Sequence, residues 1–174
     1  MINEKYIKQA EEELTDMPEK DFADYLKLIN RKQPAMAGYV MAMGDIFEDE
    51  DEYFNKYIFY YAIIHKSYTS RFRYFPEIKA ETINRIEERD EQELSELVDA
   101  PAEELEQRIL DWIKKHPQKA LLSFFYDDLF TVEEDDFDDI GEELDSQIFF
   151  MLISIVNIYE ESLVQSQQQH TKNQ

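Results

Sequence analysis

The chain has 174 residues, and its 18 Lys and Arg stand against 40 Asp and Glu, which gives a formal net charge of -22. Hydrophobic residues make up 43% of the sequence, enough for a buried core, so the composition argues against global disorder. The sequence contains no cysteine, which excludes disulfides, zinc–thiolate sites and cysteine nucleophiles, and its charge disfavours binding to a nucleic-acid backbone or an anionic membrane.

Helical periodicity runs through almost the whole chain. Phe22, Tyr25, Leu26 and Ile29, for example, recur at the three-and-four spacing of one helix face, and no segment alternates with a period of two. The prolines are expected at helix starts, where a missing N–H is not needed. We therefore predict an all-α protein of about eight helices. The predicted ranges are 3–15, 18–31, 34–46, 52–73, 76–97, 101–115, 117–130 and 143–165.

Two of these helices are predicted to lie at the centre. Residues 53–64 and residues 148–159 each contain ten apolar or aromatic positions out of twelve, and a helix apolar on nearly all sides is either buried or spans a membrane. Both stretches fall short of the roughly 18 apolar residues that a membrane span needs. We therefore expect two core helices, no membrane contact and, since the start shows no signal-peptide pattern, a cytoplasmic location.

An internal repeat has an offset of 83 residues. The matching pairs are Pro18 and Pro101, Pro34 and Pro117, and Phe47 and Phe130. An acidic run follows the phenylalanine in each copy. Helical units that repeat along a chain form a core by stacking. The pattern predicts a tandem duplication of a four-helix unit, over 1–83 and 84–165, in one compact domain with a frayed polar tail over 166–174.

Motifs for metal or cofactor binding are not found in the sequence. An acidic run starting at Asp45 has Glu50 where an EF-hand loop needs glycine. No His-Glu-x-x-His pattern and no glycine-rich phosphate loop occur either. We therefore predict no cofactor, no metal site and no catalytic residue, and we favour a non-enzymatic role.

One aromatic and basic segment stands out in this acidic chain. Tyr61, His65 and Tyr68 fall on one helix face, and Arg71 and Arg73 lie close by in the sequence. These side chains could bind an anionic or aromatic ligand through stacking and bidentate arginine contacts. Alternatively, the aromatic residues belong to the core and the cations neutralise neighbouring acids. Both interpretations remain open at this point.

The negative charge is concentrated in the second half. Residues 1–83 hold 11 basic and 16 acidic residues, whereas residues 84–174 hold 7 basic and 24 acidic residues. A surface of this kind can simply keep a protein soluble, or it can attract a basic partner with fast, salt-sensitive association. The candidate partner-binding residues are Glu133, Glu134, Asp135, Asp136, Asp138 and Asp139.

The leading hypothesis is a non-enzymatic intracellular helical-repeat protein that binds a basic protein through its acidic surface. A first alternative is a small-ligand binder or enzyme that uses residues 61–73. A second alternative is an acidic inhibitor that imitates nucleic acid and acts on a nucleic-acid-binding protein. Neither the partner nor the oligomeric state can be read from the sequence.

Overall fold

The computed structural model describes residues 1–47, 49–98, 101–130 and 139–172. These residues form eight α-helices and contain no strand, so the predicted all-α class is confirmed. The helices are α1 (Glu4–Thr15), α2 (Glu19–Lys32), α3 (Pro34–Gly44), α4 (Asp51–Arg71), α5 (Ala80–Val98), α6 (Ala102–Lys115), α7 (Lys119–Phe130) and α8 (Asp139–Lys172). A 3-10 turn over Asp45–Phe47 follows α3.

The core is built around α4 and α8, which contact each other. Both carry the apolar stretches expected at the centre, and side chains such as Tyr57, Ile63, Ile153 and Tyr159 are fully buried. The segment Glu143–Gln168 of α8 is long and apolar enough to cross a membrane, but 72% of its apolar window is buried inside the protein. Its packing against α4, α5 and α7 is that of a core helix.

The helices pack in corresponding pairs. The first helix of each half lies on the last helix of the same half, as α1 does on α4 and α5 does on α8. The pairs α2 with α3 and α6 with α7 also correspond, and so do the contacts between halves, α1 with α7 and α5 with α3. Exchanging the two halves therefore leaves these pairs unchanged, although the contact of α5 with α6 has no equally extensive counterpart between α1 and α2. The duplication itself stays a prediction.

The second helix of each half begins in the same way. Glu19–Lys32 and Ala102–Lys115 both have 14 residues and start 83 positions apart. The residue before each is a proline with φ of -55° and ψ near 143°, so Pro18 and Pro101 occupy the N-cap rather than the first helical turn. Pro34, by contrast, is the first residue of α3, as expected for proline at a helix start.

Helix α5 begins four residues later than predicted, at Ala80 rather than Pro76. The cause is the buried side chain of Gln33 at the junction of α2 and α3. Its Nε2 donates to the carbonyl oxygen of Pro76 at 3.0 Å, and the N–H of Ile78 donates to its Oε1 at 2.8 Å. Because both backbone groups are satisfied by this amide, the segment stays non-helical and Ile78 is held in the core.

Helix α8 is longer than predicted at both ends. It runs over 34 residues, from Asp139 to Lys172, rather than from 143 to 165. Gln165, where the prediction ended, is fixed on two sides. Its Nε2 donates to Glu161 Oε1 one turn earlier, and Thr82 Oγ1 on α5 donates to its Oε1, both at 3.1 Å. A polar residue that joins two helices in this way prolongs a helix that sequence polarity would end.

Two glycines of α3 are expected to respond oppositely to replacement by alanine. A methyl group at Gly44 would lie 2.8 Å from Phe54 Cε2, so the ring must move, and we expect Gly44→Ala to lower the free energy of unfolding by about 1 kcal/mol. Gly38 has nothing within 4 Å, so Gly38→Ala should raise it by about 0.5–1 kcal/mol through helix propensity. Urea unfolding of both variants gives the comparison, and equal effects would contradict this packing.

Candidate functional site

Three residues of the predicted ligand-binding segment lie together in the core. Tyr61, His65 and Tyr68 are all at least 95% buried on α4. They surround Tyr159 of α8, whose hydroxyl lies 2.9 Å from His65 Nδ1 and whose ring lies 5.2 Å from that of Tyr68. Burial lowers the pKa of His65 to about 4, with a smaller contribution from Lys32, so the ring is neutral at pH 7.

The two arginines of that segment lie apart from this cluster. Arg71 is exposed at the end of α4, with its guanidinium 5.0 Å from the ring centre of Phe72, and Arg73 is exposed in the following segment. Arg71 follows Tyr61 by ten residues, which corresponds to about 15 Å along a helix. The structure therefore brings the buried aromatic residues together and leaves the cations on the surface. Ligand binding by this segment stays a prediction.

Tyr61 also lines a small apolar cleft between α2, α3 and α4. The cleft has a volume of about 140 Å³, and Leu26, Val40, Phe54 and Ile58 share its lining. Burial raises the pKa of Tyr61 to about 12, and the nearby Tyr159 hydroxyl partly offsets that shift. His65 does not line this cleft, nor the polar cleft described below.

The acidic residues predicted to bind a partner lie largely outside the described part of the chain. Glu133, Glu134, Asp135, Asp136 and Asp138 fall between α7 and α8, and Asp139 is the first residue of α8. The structure therefore leaves their part in binding as a prediction.

A second acidic surface lies on α5, within the described residues. Six glutamates of this helix are exposed. Its two basic residues, Arg85 and Arg89, are ion-paired to Glu161 and Asp90, both at 2.7–2.8 Å. The exposed glutamates, here called the α5 acidic face, are Glu81, Glu87, Glu88, Glu91, Glu93 and Glu96.

One edge of this face borders a polar cleft of about 370 Å³. Three parts of the fold form it: the middle of α5, the junction of α6 and α7, and the middle of α8. The volume lies within the usual range for a small-ligand site, but the lining is far more polar than is common. Its main lining residues are Arg89, Trp112, Lys115, His116, Asn157 and Glu160.

A hydrogen-bonded chain of polar side chains lies along the polar cleft, with Arg89, His116 and Asn157 in its lining. Arg89 donates to Asp90 Oδ1 from Nε at 3.1 Å and from Nη2 at 2.8 Å. Asn157 Nδ2 donates to Asp90 Oδ2 at 2.8 Å, and Asn157 Oδ1 lies 2.8 Å from His116 Nε2. The chain thus connects α5, α8 and the junction of α6 and α7. We call it the Asp90–Asn157–His116 network.

The network also determines the tautomer of His116. The backbone N–H of Gln118 donates to His116 Nδ1 at 3.0 Å, so the ring proton is on Nε2, where it donates to Asn157. Burial lowers the pKa of His116, against smaller opposing contributions that include the Asn157 bond and Glu160. With both ring nitrogens occupied, His116 joins helices and has no free nitrogen for acid–base catalysis.

Glu160 follows Asn157 by three residues on α8 and lines the same cleft. It accepts hydrogen bonds from Gln118 Nε2 and, at 3.3 Å, from the hydroxyl of Tyr68. The Oε1 of Gln118 in turn accepts from the backbone N–H of Ile2 at 2.8 Å. The carboxylate of Glu160 is therefore positioned by neutral donors from α4 and from the α6–α7 junction.

Sequence reasoning did not identify the polar cleft, because its residues are separated by tens of positions. One available sign was Asn157, a polar residue in an otherwise apolar stretch, since buried polar side chains need hydrogen-bond partners. In the described ranges, no three His, Asp or Glu side chains are grouped so that they could hold a metal ion.

Comparison with known proteins gave no relative from which a function could be transferred. No protein-family model matches the chain, and no curated protein or solved structure matches it. The proposal for its function therefore depends on the charges and contacts of its own residues.

Proposed function

We propose that this chain is a non-enzymatic helical protein that binds a basic protein partner through an acidic surface that includes the α5 acidic face. The observation that carries the proposal is the charge of that face, where six exposed glutamates accompany two arginines that are already ion-paired. A surface of one sign attracts an oppositely charged partner over several ångströms and accelerates encounter.

The sequence of α5 supports this proposal, because its charge pattern is unfavourable for the helix itself. Glu87 and Glu91 are four residues apart, and Glu88 and Glu91 are three apart, so like charges are neighbours on the helix surface. Glutamates also continue into the last turn, where the helix dipole favours cations. A local departure from what stabilises a helix is a common feature of functional surfaces.

The duplicated architecture forms a second part of the proposal. The identical N-cap geometry of Pro18 and Pro101 and the corresponding helix pairs support an origin by duplication of one four-helix unit. Charge then differs between the copies, since most of the net negative charge is in residues 84–174. In this proposal the second unit provides the contact with the partner and the first unit completes the core.

The test uses a variant in which Glu87, Glu88 and Glu91 are replaced by glutamine. We expect its association with a captured basic partner to slow about three- to tenfold at low ionic strength, with a smaller effect at high salt. The free energy of unfolding should stay the same or rise by a few tenths of a kcal/mol, since like-charge neighbours are removed. Association rates by surface plasmon resonance and urea unfolding provide both measurements.

The matched control removes the same charge from α1 and its C-cap residue, by replacing the exposed Glu4, Glu12 and Asp16 with their amides. Both variants are compared in affinity capture from host lysate at two salt concentrations. A basic partner lost with the α5 variant and kept by the α1 variant supports the proposal. Equal loss with both variants would show that only the net charge of -22 matters, and the α5 acidic face would then have no specific role.

A further inference from the structure

The polar cleft combines ion-paired side chains with one carboxylate that has no cationic partner. Arg89 is occupied by Asp90, and Glu161 at the far side of the cleft is paired with Arg85. Glu160 is different. Its hydrogen bonds come from Gln118 and Tyr68, which are neutral, and none of the ion pairs in the described part of the chain includes it.

The only tryptophan of the sequence, Trp112, lines the same cleft. Its ring lies 5.0 Å from that of His116, which the Asp90–Asn157–His116 network holds in place. The side chain is half-buried. An indole face attracts cations, and tryptophan is the residue most often found at the energetic centre of protein interfaces. A half-buried indole and a carboxylate without a cation therefore share one recess.

We propose that the polar cleft binds a lysine or arginine side chain of the basic partner, with the cationic group facing Glu160 and the indole of Trp112. This inference rests on the proposed function and names its anchoring contact. Three glutamates line the cleft against two cations, Arg89 and Lys115, so the charge of the lining and the net charge of -22 around it both disfavour an anionic occupant. Both charges attract a cation. One partner residue held in the cleft would also give specificity to a surface that, through charge alone, attracts any basic protein.

Lys115 provides a variant whose effect differs in sign between the two kinds of occupant. It is exposed on the lining of the cleft, and no ion pair within the described residues includes it. If the cleft holds a cation, the charge of Lys115 repels it, so Lys115→Gln should tighten binding. If the cleft holds an anion, the same change should weaken binding. Because the side chain is exposed, the substitution leaves the fold intact.

The experiment titrates the whole protein with an acetylated octa-arginine peptide, and with octa-glutamate as the anionic probe. Trp112 emission reports occupancy of the cleft, and calorimetry reports total binding. We expect octa-arginine to change the emission, Glu160→Gln to weaken its affinity about tenfold, and Lys115→Gln to strengthen it about two- to threefold. The matched control is Glu104→Gln, an exposed glutamate on α6 that is not among the lining residues.

The other outcomes separate the cleft from the proposed function. Octa-arginine could bind without changing Trp112 emission and with equal affinities for Glu160→Gln and Glu104→Gln. That result would overturn the cleft as the binding site and leave the acidic surface as the proposed contact. Tighter binding of octa-glutamate, or weaker octa-arginine binding by Lys115→Gln, would overturn the cationic occupant. If the lysate capture yields no basic partner whose binding depends on salt, the proposed function is wrong, whatever the result with the peptides.

Discussion

Replacing Asn157 with leucine is expected to lower the free energy of unfolding by about 3 kcal/mol, because a buried carboxylate and a half-buried imidazole lose their partner at once. The carboxylate of Asp90 loses the bond from Asn157 Nδ2, and the Nε2–H of His116 loses its acceptor. Leucine has the branching and heavy-atom number of asparagine but larger methyl groups, so no cavity forms and the loss reports unmade hydrogen bonds together with some overpacking. Asp90 contributes most, since its side chain is 98% buried and its Oδ2 loses the donor Asn157, while Arg89 still donates to Oδ1.

The matched control is Asn84→Leu, the same substitution at an exposed position of α5. It should change the free energy of unfolding by no more than about 0.5 kcal/mol. Urea denaturation followed by circular dichroism measures both variants. A similar small loss for both would mean that the Asp90–Asn157–His116 network does not hold α5, α8 and the α6–α7 junction together.

Acid is expected to reduce the contribution of His65 to stability by about 3 kcal/mol between pH 7 and pH 4. Unfolding returns the imidazole to its ordinary pKa of 6.5, whereas burial keeps its pKa in the folded protein at about 4. Between pH 6.5 and pH 4, the His65 imidazole is therefore protonated in the unfolded chain but stays neutral in the folded protein. The contribution of the neutral His65 to stability is fully present above pH 6.5, decreases as the pH falls, and is lost below about pH 4. At about 1.4 kcal/mol per pKa unit, the shift gives the stated magnitude.

The contribution of His65 is measured as the difference in free energy of unfolding between the wild-type protein and His65→Gln. Acid also protonates carboxylates and so relieves the repulsion of a chain with a charge of -22, which acts in the opposite direction. The variant shares that term but has no imidazole at position 65. Urea unfolding of both proteins across this pH range isolates the histidine. A stability difference that does not change with pH would contradict a buried, neutral His65.

Much of the fold could be predicted from local patterns. Three-and-four spacing identified all eight helices, because apolar residues at that spacing form the face that each helix buries. Of the boundaries that were wrong, the start of α5 and the end of α8 have a shared reason. The amide of Gln33 holds the segment before α5, and the bond from Thr82 to Gln165 helps to prolong α8. Both contacts join residues more than 40 positions apart, so no local pattern reports them.

The candidate site was far less accessible from the sequence. Tyr61, His65 and Tyr68 were correctly placed on one face, but Tyr159, which they surround, comes from another helix. His116 has no ligand or catalytic partner at motif spacing, and it acquires its role only when α8 brings Asn157 to it. A sequence shows which residues need partners, whereas the packing of helices decides which partners they receive.

The sequence by itself determined the helical class, the two apolar stretches at the centre and the excess of negative charge. These properties follow from composition and from periodicity within single helices. Only the tertiary structure decided which polar residues meet. Asp90, His116 and Asn157 form one hydrogen-bonded network, and Trp112 and Glu160 line one cleft, because α5, α8 and the α6–α7 junction meet there. Side-chain contacts between helices depend on how the helices pack, and a pattern confined to one helix does not specify that packing.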